Sequence, residues 1–196
     1  MKTKYRYWEP YSREIYPKAM TSGDCSVRAY CKMENMEYGR AYAKLVEKGY
    51  GGKGALYAGS RKGRGRYKKI KFWASLGYEF RTFPSSLYNH MECSIDYTPD
   101  TCIVNTVAHV APKVNGVLYD AFDSRYTVWR FRAGDEDAIE TFGKLIKIPK
   151  DRKKNTRFRT ASLPRRILGW YDYVGDKARV RKFDEYFDRD TDWVED

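Results

Sequence analysis

Two reactive residue types are scarce in this 196-residue chain: four cysteines, at 25, 31, 93 and 102, and two histidines, at 90 and 109. Cys25 stands out among them. It follows a turn signal, Ser22-Gly23-Asp24, and opens a helical pattern through Val27, Ala29 and Tyr30. A thiol at a helix N-terminus meets unpaired backbone N–H groups and the positive end of the helix dipole, and both favour the thiolate. An ionised cysteine is a strong nucleophile, and a nearby imidazole supplies the base that activates it. His109 lies in a strand pattern, whereas His90 sits in Leu87-Tyr88-Asn89-His90-Met91, which has no strand period. His109 is therefore the expected base. Cys31 is expected to pack, and Cys93 and Cys102 lack a helix-start context.

The elements that must carry these groups are readable. Asn115-Gly116 is a strong type I′ hairpin signal between Thr106–Val114 and Val117–Phe122. A two-residue turn there sets Val114 opposite Val117, Ala111 opposite Asp120 and His109 opposite Phe122. Residues that pair, and residues two apart, share a face. Asp120 then falls diagonal to His109 on one face, with Asp123 on the other. Asp120 is the expected orienting acid, fixing the imidazole tautomer and leaving the second ring nitrogen to the thiol. Asp123 is the alternative.

Residues 1–22, rich in Tyr and holding Pro10 and Pro17, read as an irregular lead-in. A second helix is expected over 36–48, from Tyr38, Ala41, Tyr42 and Leu45 at i, i+3, i+4 and i+7. Residues 49–66 have no helical or strand period and read as a loop. A short helix around Phe72 to Leu76 should feed a strand at 78–83. Tyr126–Phe131 is expected to continue the sheet, and 135–145 holds a possible short helix. Helices first and then an antiparallel sheet give an α+β fold.

The bulk numbers fit one domain with an extension. Hydrophobic residues make up 42% of the chain and aromatics 16%, which supports a packed core. The formal net charge is +12. Seven Lys or Arg fall within 61–71 with no acid among them, and ten fall within 144–166 against Asp151 alone. Such runs attract polyanions or acidic proteins. Arg61, Lys62, Arg64, Arg66, Lys68, Lys69, Arg152, Lys153, Lys154, Arg157 and Arg159 are the candidate contacts to nucleic acid or an acidic partner. Residues 184–196 reverse the sign, with seven acids against Arg189. No CxxC pair occurs, so zinc-ligand spacing is absent and neither metal nor cofactor is expected. The opening residues form no apolar leader, and no stretch reaches the roughly 20 apolar residues of a membrane span. A reducing cytosol is the expected setting, with the thiols free.

Asp24-Cys25-Ser26-Val27-Arg28-Ala29 resembles the Asp-Cys-x-x-Arg-Ala opening of papain-like cysteine peptidase-fold proteins of bacteriophages. Thr101-Cys102-Ile103-Val104, His109, Gly116, Tyr119-Asp120 and Asp123-Ser124 resemble the histidine-bearing hairpin of the same group. The resemblance spans roughly residues 20–131. It implies a papain-like domain over residues 1–143 and leaves 144–196 as a basic extension with an acidic tail. It implies a thiol protease or related hydrolase that cleaves a peptide, isopeptide or other amide bond through Cys25, His109 and Asp120. The implied setting is a phage protein in the host cytoplasm, with a protein or peptide substrate and no membrane. The chain departs from the pattern upstream of the nucleophile, where residue 19 is Ala rather than an amide donor for an oxyanion. Two other functions fit the composition: a papain-fold binding protein with little or no activity that uses the basic patches, and an assembly protein with an aromatic interface.

Overall fold

The computed structural model describes residues 2–11, 15–16, 23–50, 64–83, 95–106, 109–132, 145–146, 158–164, 167–182 and 186, with the backbone alone at 64–66, 127–132, 145–146 and 158–164. Three helices, α1 (Cys25–Met33), α2 (Tyr38–Glu47) and α3 (Arg64–Ala74), accompany strands β1 (Lys4–Tyr7), β2 (Tyr78–Arg81), β3 (Cys102–Thr106), β4 (His109–Val114), β5 (Val117–Asp120), β6 (Tyr126–Arg132), β7 (Leu145–Ile146), β8 (Phe158–Pro164) and β9 (Ile167–Tyr173). The fold is mixed α+β. Six strands form one sheet in the order β1-β5-β4-β3-β9-β2, and three form another in the order β6-β8-β7. No helix of the described residues is long and apolar enough to cross a membrane.

The β4–β5 hairpin has the register that its turn demands. Val114 pairs with Val117 and Lys113 with Leu118. Asn115 and Gly116 take φ of 51° and 74°, the left-handed pair of a type I′ turn. Both faces of the sheet are covered. Ile103, Val110 and Tyr171 face a core shared with Val27, Tyr30, Tyr38, Leu45, Ile70 and Trp73 of the three helices. Cys102, Val104, Ala111, Leu118 and Ile167 face a second cluster with Phe83 and Ile95.

Four expectations need correction. The sheet is not purely antiparallel: Lys4–Tyr7, read as part of an irregular lead-in, runs parallel to β5 at the sheet edge. Its alternation Lys-Tyr-Arg-Tyr is the period-2 signal of an edge strand. Tyr126–Arg132 does not continue the main sheet but pairs with β8 in the second one. The helix before β2 begins at Arg64, inside the segment read as a basic loop. Its apolar side is carried by Ile70 and Trp73, both wholly buried, and the five basic residues of the helix hide its period. Finally, residues 144–196 are not an appendage to a domain ending at 143. β9 lies between β3 and β2, antiparallel to both. Gly169 permits that position: at φ 147°, a β-carbon there would meet the Arg81 carbonyl oxygen at 2.2 Å. The possible helix at 135–145 falls largely outside the described residues.

Candidate active site

The nucleophile candidate begins α1. Asp24 is the N-cap residue, yet its side chain makes no capping bond. Its carboxylate instead accepts from Tyr11 Oη at 3.0 Å, Tyr38 Oη at 2.9 Å and Arg28 Nε at 3.1 Å. Arg28 is one helical turn on, the i,i+4 neighbour of Asp24. Its Nη1 reaches Asp120 Oδ1 at 3.4 Å, a charge contact more than a directed bond. The chain thus ties the residue before the thiol to the carboxylate at the end of β5.

His109 begins β4, and α1 packs on that strand. Its Nε2 lies 2.6 Å from Asp120 Oδ2. The Cys25 thiol is the other polar group that acts on this ring, and with Asp120 it favours the imidazolium. Asp120 Oδ1 accepts from the Ala121 N–H at 2.8 Å. Cys25, His109 and Asp120 are 7%, 8% and 3% exposed. On the open side, Phe122 is 45% exposed and its ring centroid lies 5.0 Å from that of His109. It is an apolar cover beside the imidazole.

These surroundings set the protonation states. Burial alone would raise the Cys25 pKa. The hydrogen bond and charge of His109, the Lys69 charge and the Val110 N–H outweigh it and bring the thiol down to about 7. Burial pulls His109 down, but Asp120 and Cys25 prevail and hold it above its ordinary value. Asp120 is pushed up by burial and down by His109, with Arg28 assisting, and ends below the usual carboxylate range. A thiolate, an imidazolium and a carboxylate in series is the charge pattern these shifts favour near neutrality. Burial pushes the other two described thiols up, Cys31 to about 11 and Cys102 to about 12.

The hairpin face count and the structure select the same carboxylate. Asp123 turns to Arg125, with Oδ2 to Nη2 at 2.7 Å. His90 and Cys93 lie outside the described residues. Among the upstream residues considered as oxyanion donors, Tyr16 donates its hydroxyl to Glu37 at the start of α2, and Lys18, Thr21 and Ser22 lie outside the described residues. The basic candidates divide. Lys68 is exposed on α3, but Lys69 is 2% exposed and its Nζ donates to Asn105 Oδ1 at 2.9 Å. Lys69 therefore does not belong to a surface patch, because the helix turns it inward onto β3. Arg64, Arg66 and Arg159 are described in backbone only, and Arg61, Lys62, Arg152, Lys153, Lys154 and Arg157 lie outside the described residues.

Asp24, Arg28, Lys69 and Phe122 belong to the site without having been assigned a role in it from sequence. The spacing of Asp24 and Arg28 carried a signal, an i,i+4 acid–base pair flanking the thiol. Among the described residues no cluster of three or more His, Cys, Asp or Glu could hold a metal ion. No family model, curated protein or solved structure matches this chain.

Proposed function

We propose that the protein is a papain-like cysteine hydrolase that cleaves a peptide, isopeptide or related amide bond, and that it is a bacteriophage protein acting in the host cytoplasm. The observation that carries this reading is one imidazole set between a helix-start thiol and a buried carboxylate 2.6 Å from its Nε2. The phage setting rests on the resemblance of the Asp24–Ala29 and His109–Asp120 segments. In the first step the Cys25 thiolate attacks the amide carbonyl carbon, and the carbonyl electron pair moves to oxygen. The Cys25 backbone N–H, at the helix start, is the donor offered to that oxyanion. The intermediate collapses as His109 gives its proton to the leaving nitrogen, which releases the amine and leaves a thioester on Cys25. His109, now neutral, takes a proton from water, and the hydroxide attacks the thioester. The acid product leaves and the thiolate–imidazolium pair is restored. Asp120 holds the ring through both proton transfers. These steps need no cofactor.

The test is a proteome-derived peptide mixture and a set of lysine-linked isopeptides, with cleavage and the acyl adduct on Cys25 followed by mass spectrometry. The wild-type chain should cut a subset and Cys25→Ala none. Absence of both cleavage and adduct would reject hydrolysis. The net charge of +12 supports a second reading, binding of nucleic acid or an acidic host protein with weak or absent hydrolysis. Salt-sensitive binding to DNA, RNA or heparin that survives Cys25→Ala would separate it from the first.

A further inference from the structure

A second group of charges stands at the end of the main sheet opposite β1. β2 is the last strand there, and three inter-strand steps, about 14 Å, separate it from β4. Its residues alternate. Tyr78 and Phe80 are buried in the core shared with the helices, so Glu79 and Arg81 point to the other face. Glu79 is buried and both its oxygens are engaged. Oε1 lies 3.1 Å from Arg81 Nη2, and Oε2 accepts the Arg179 N–H at 3.3 Å. Arg81 Nε also lies 3.9 Å from Oδ2 of Asp172, the residue opposite Glu79 on β9.

Past β9 the chain reverses through Gly175, at φ 64°, and the Ala178 N–H closes the turn on the Gly175 carbonyl at 3.1 Å. Residues 179–181 then return past β2. The Arg181 N–H donates to Tyr186 Oη at 2.9 Å, and its carbonyl accepts from Tyr67 Oη at 3.1 Å. Both arginines are exposed, and their guanidinium groups have no ion-pair partner among the described residues. Among those residues, Glu79, Arg81, Arg179 and Arg181 line a cavity of about 450 Å³.

We propose that this cavity binds the phosphate group of a phosphate-bearing ligand, with Arg81, Arg179 and Arg181 as its donors. The charges favour an anion, since three guanidinium groups face one carboxylate whose oxygens are already bonded. Like charges gathered round one cavity repel, and an anion between them removes that repulsion. The donor set favours phosphate over carboxylate. One guanidinium fork satisfies the two oxygens of a carboxylate, whereas a tetrahedral phosphate accepts forks from several sides. The volume is that of a small-molecule site and leaves room for the group that carries the phosphate. A purely structural role would pair these heads with acids. Here the acid in the cavity holds Arg81 and the Arg179 backbone, and two tyrosines hold the Arg181 backbone. The donors are thus placed before a ligand arrives. The site shares no residue with the Cys25 site and does not rest on the hydrolase reading.

The experiment titrates the full-length chain with pyrophosphate by isothermal calorimetry at low salt, with succinate as the carboxylate counterpart and short oligo(dT) as the polymeric one. Two double variants separate the cavity from the general charge of the chain. Arg179→Gln with Arg181→Gln removes two donors, and Lys177→Gln with Lys182→Gln removes the same charge from exposed positions close by in the chain. Wild type should bind pyrophosphate more tightly than succinate. The arginine pair should weaken pyrophosphate binding about 100-fold, roughly tenfold for each charged donor lost. The lysine pair should weaken it less than about fivefold. Arg179→Lys with Arg181→Lys, which keeps the charge but not the fork, should recover only part of the loss. Oligo(dT) binding that falls with the arginine pair assigns the phosphate to a nucleic-acid backbone. Oligo(dT) binding that is absent or ignores that pair assigns it to a free or terminal phosphate. No binding of pyrophosphate, equal losses in the glutamine variants of the arginine and lysine pairs, or succinate binding as tight as pyrophosphate overturns the proposal. The succinate comparison needs no variant and stands where one fails to fold. Arg81 is left in place because its loss would unpair the buried Glu79.

Discussion

The two ends of α1 each carry a cysteine, and the two are opposites. Cys25 and Cys31 are 7% and 4% exposed, so burial does not separate them. Cys25 sits where the helix presents N–H groups and faces His109, and its pKa falls to about 7. Cys31 sits toward the C-terminal end, where its thiol donates to the Met36 carbonyl at 2.7 Å. Burial, with Glu37 behind it, lifts its pKa to about 11. Residue type and burial thus say little about a thiol. The end of the helix and the partner across the gap decide whether it is a nucleophile or a small apolar plug.

The contrast can be broken hardest at the histidine. If the site hydrolyses amides, His109→Ala should cost about 10³-fold or more in kcat/KM, comparable to Cys25→Ala, because members of a catalytic unit fail together. Asp120→Asn should cost about 10²-fold, measured on the same substrate, since it removes the acceptor that fixes the tautomer. The effect should fall on kcat more than on KM.

Alkylation sharpens the comparison without a known substrate. At pH 7.5 the thiolate fractions implied by pKa values near 7 and 11 differ by about three orders of magnitude. A thiolate of higher pKa is intrinsically more nucleophilic, which returns roughly two of those orders. Peptide mapping after iodoacetamide should therefore find Cys25 labelled some tens of times faster than Cys31, with Cys102 also slow. Equal rates would dissolve the distinction between the helix ends.

Smaller effects reach the N-terminal end through its supports. Arg28→Met leaves the buried Asp24 carboxylate with its tyrosine donors alone and takes a charge from Asp120. A stability loss of about 2–3 kcal/mol in urea denaturation is expected. The smallest effect concerns acid. Asp120 has a depressed native pKa, so it contributes stability that is present above the unfolded value near 4 and lost as pH falls through the native one. Asp120→Asn should flatten that acid arm of the stability curve, whereas substitution at Cys31 should leave it unchanged.

The parts of the site that were legible in sequence are those fixed by short-range rules. The Gly23-Asp24 turn announces the helix start at Cys25, and Asn115-Gly116 dictates a register that sets Asp120, not Asp123, beside His109. What was hidden depends on distant partners. Lys69 reads as one cation in a run of seven, and its bond to Asn105, 36 residues on, is invisible to any local rule. Tyr5 and Tyr7 alternate as a strand should, but nothing local reveals that β5 will be their parallel neighbour. The place of β9 is equally non-local, since the long basic segment before it reads as an extension.

The central position of β9 has a consequence for how the chain is made. Synthesis delivers Cys25, then the β3–β4–β5 hairpins with His109 and Asp120, well before Ile167–Tyr173 leaves the ribosome. During that interval the outer edge of β3 offers unpaired N–H and C=O groups, and Ile103 and Val104 lack the strand that covers their flank. Such an edge is a template for another nascent chain. Cys25 and His109 are thus translated early, but the sheet behind them is finished only late. A ribosome stalled before residue 167 would hold an aggregation-prone intermediate with an open sheet edge.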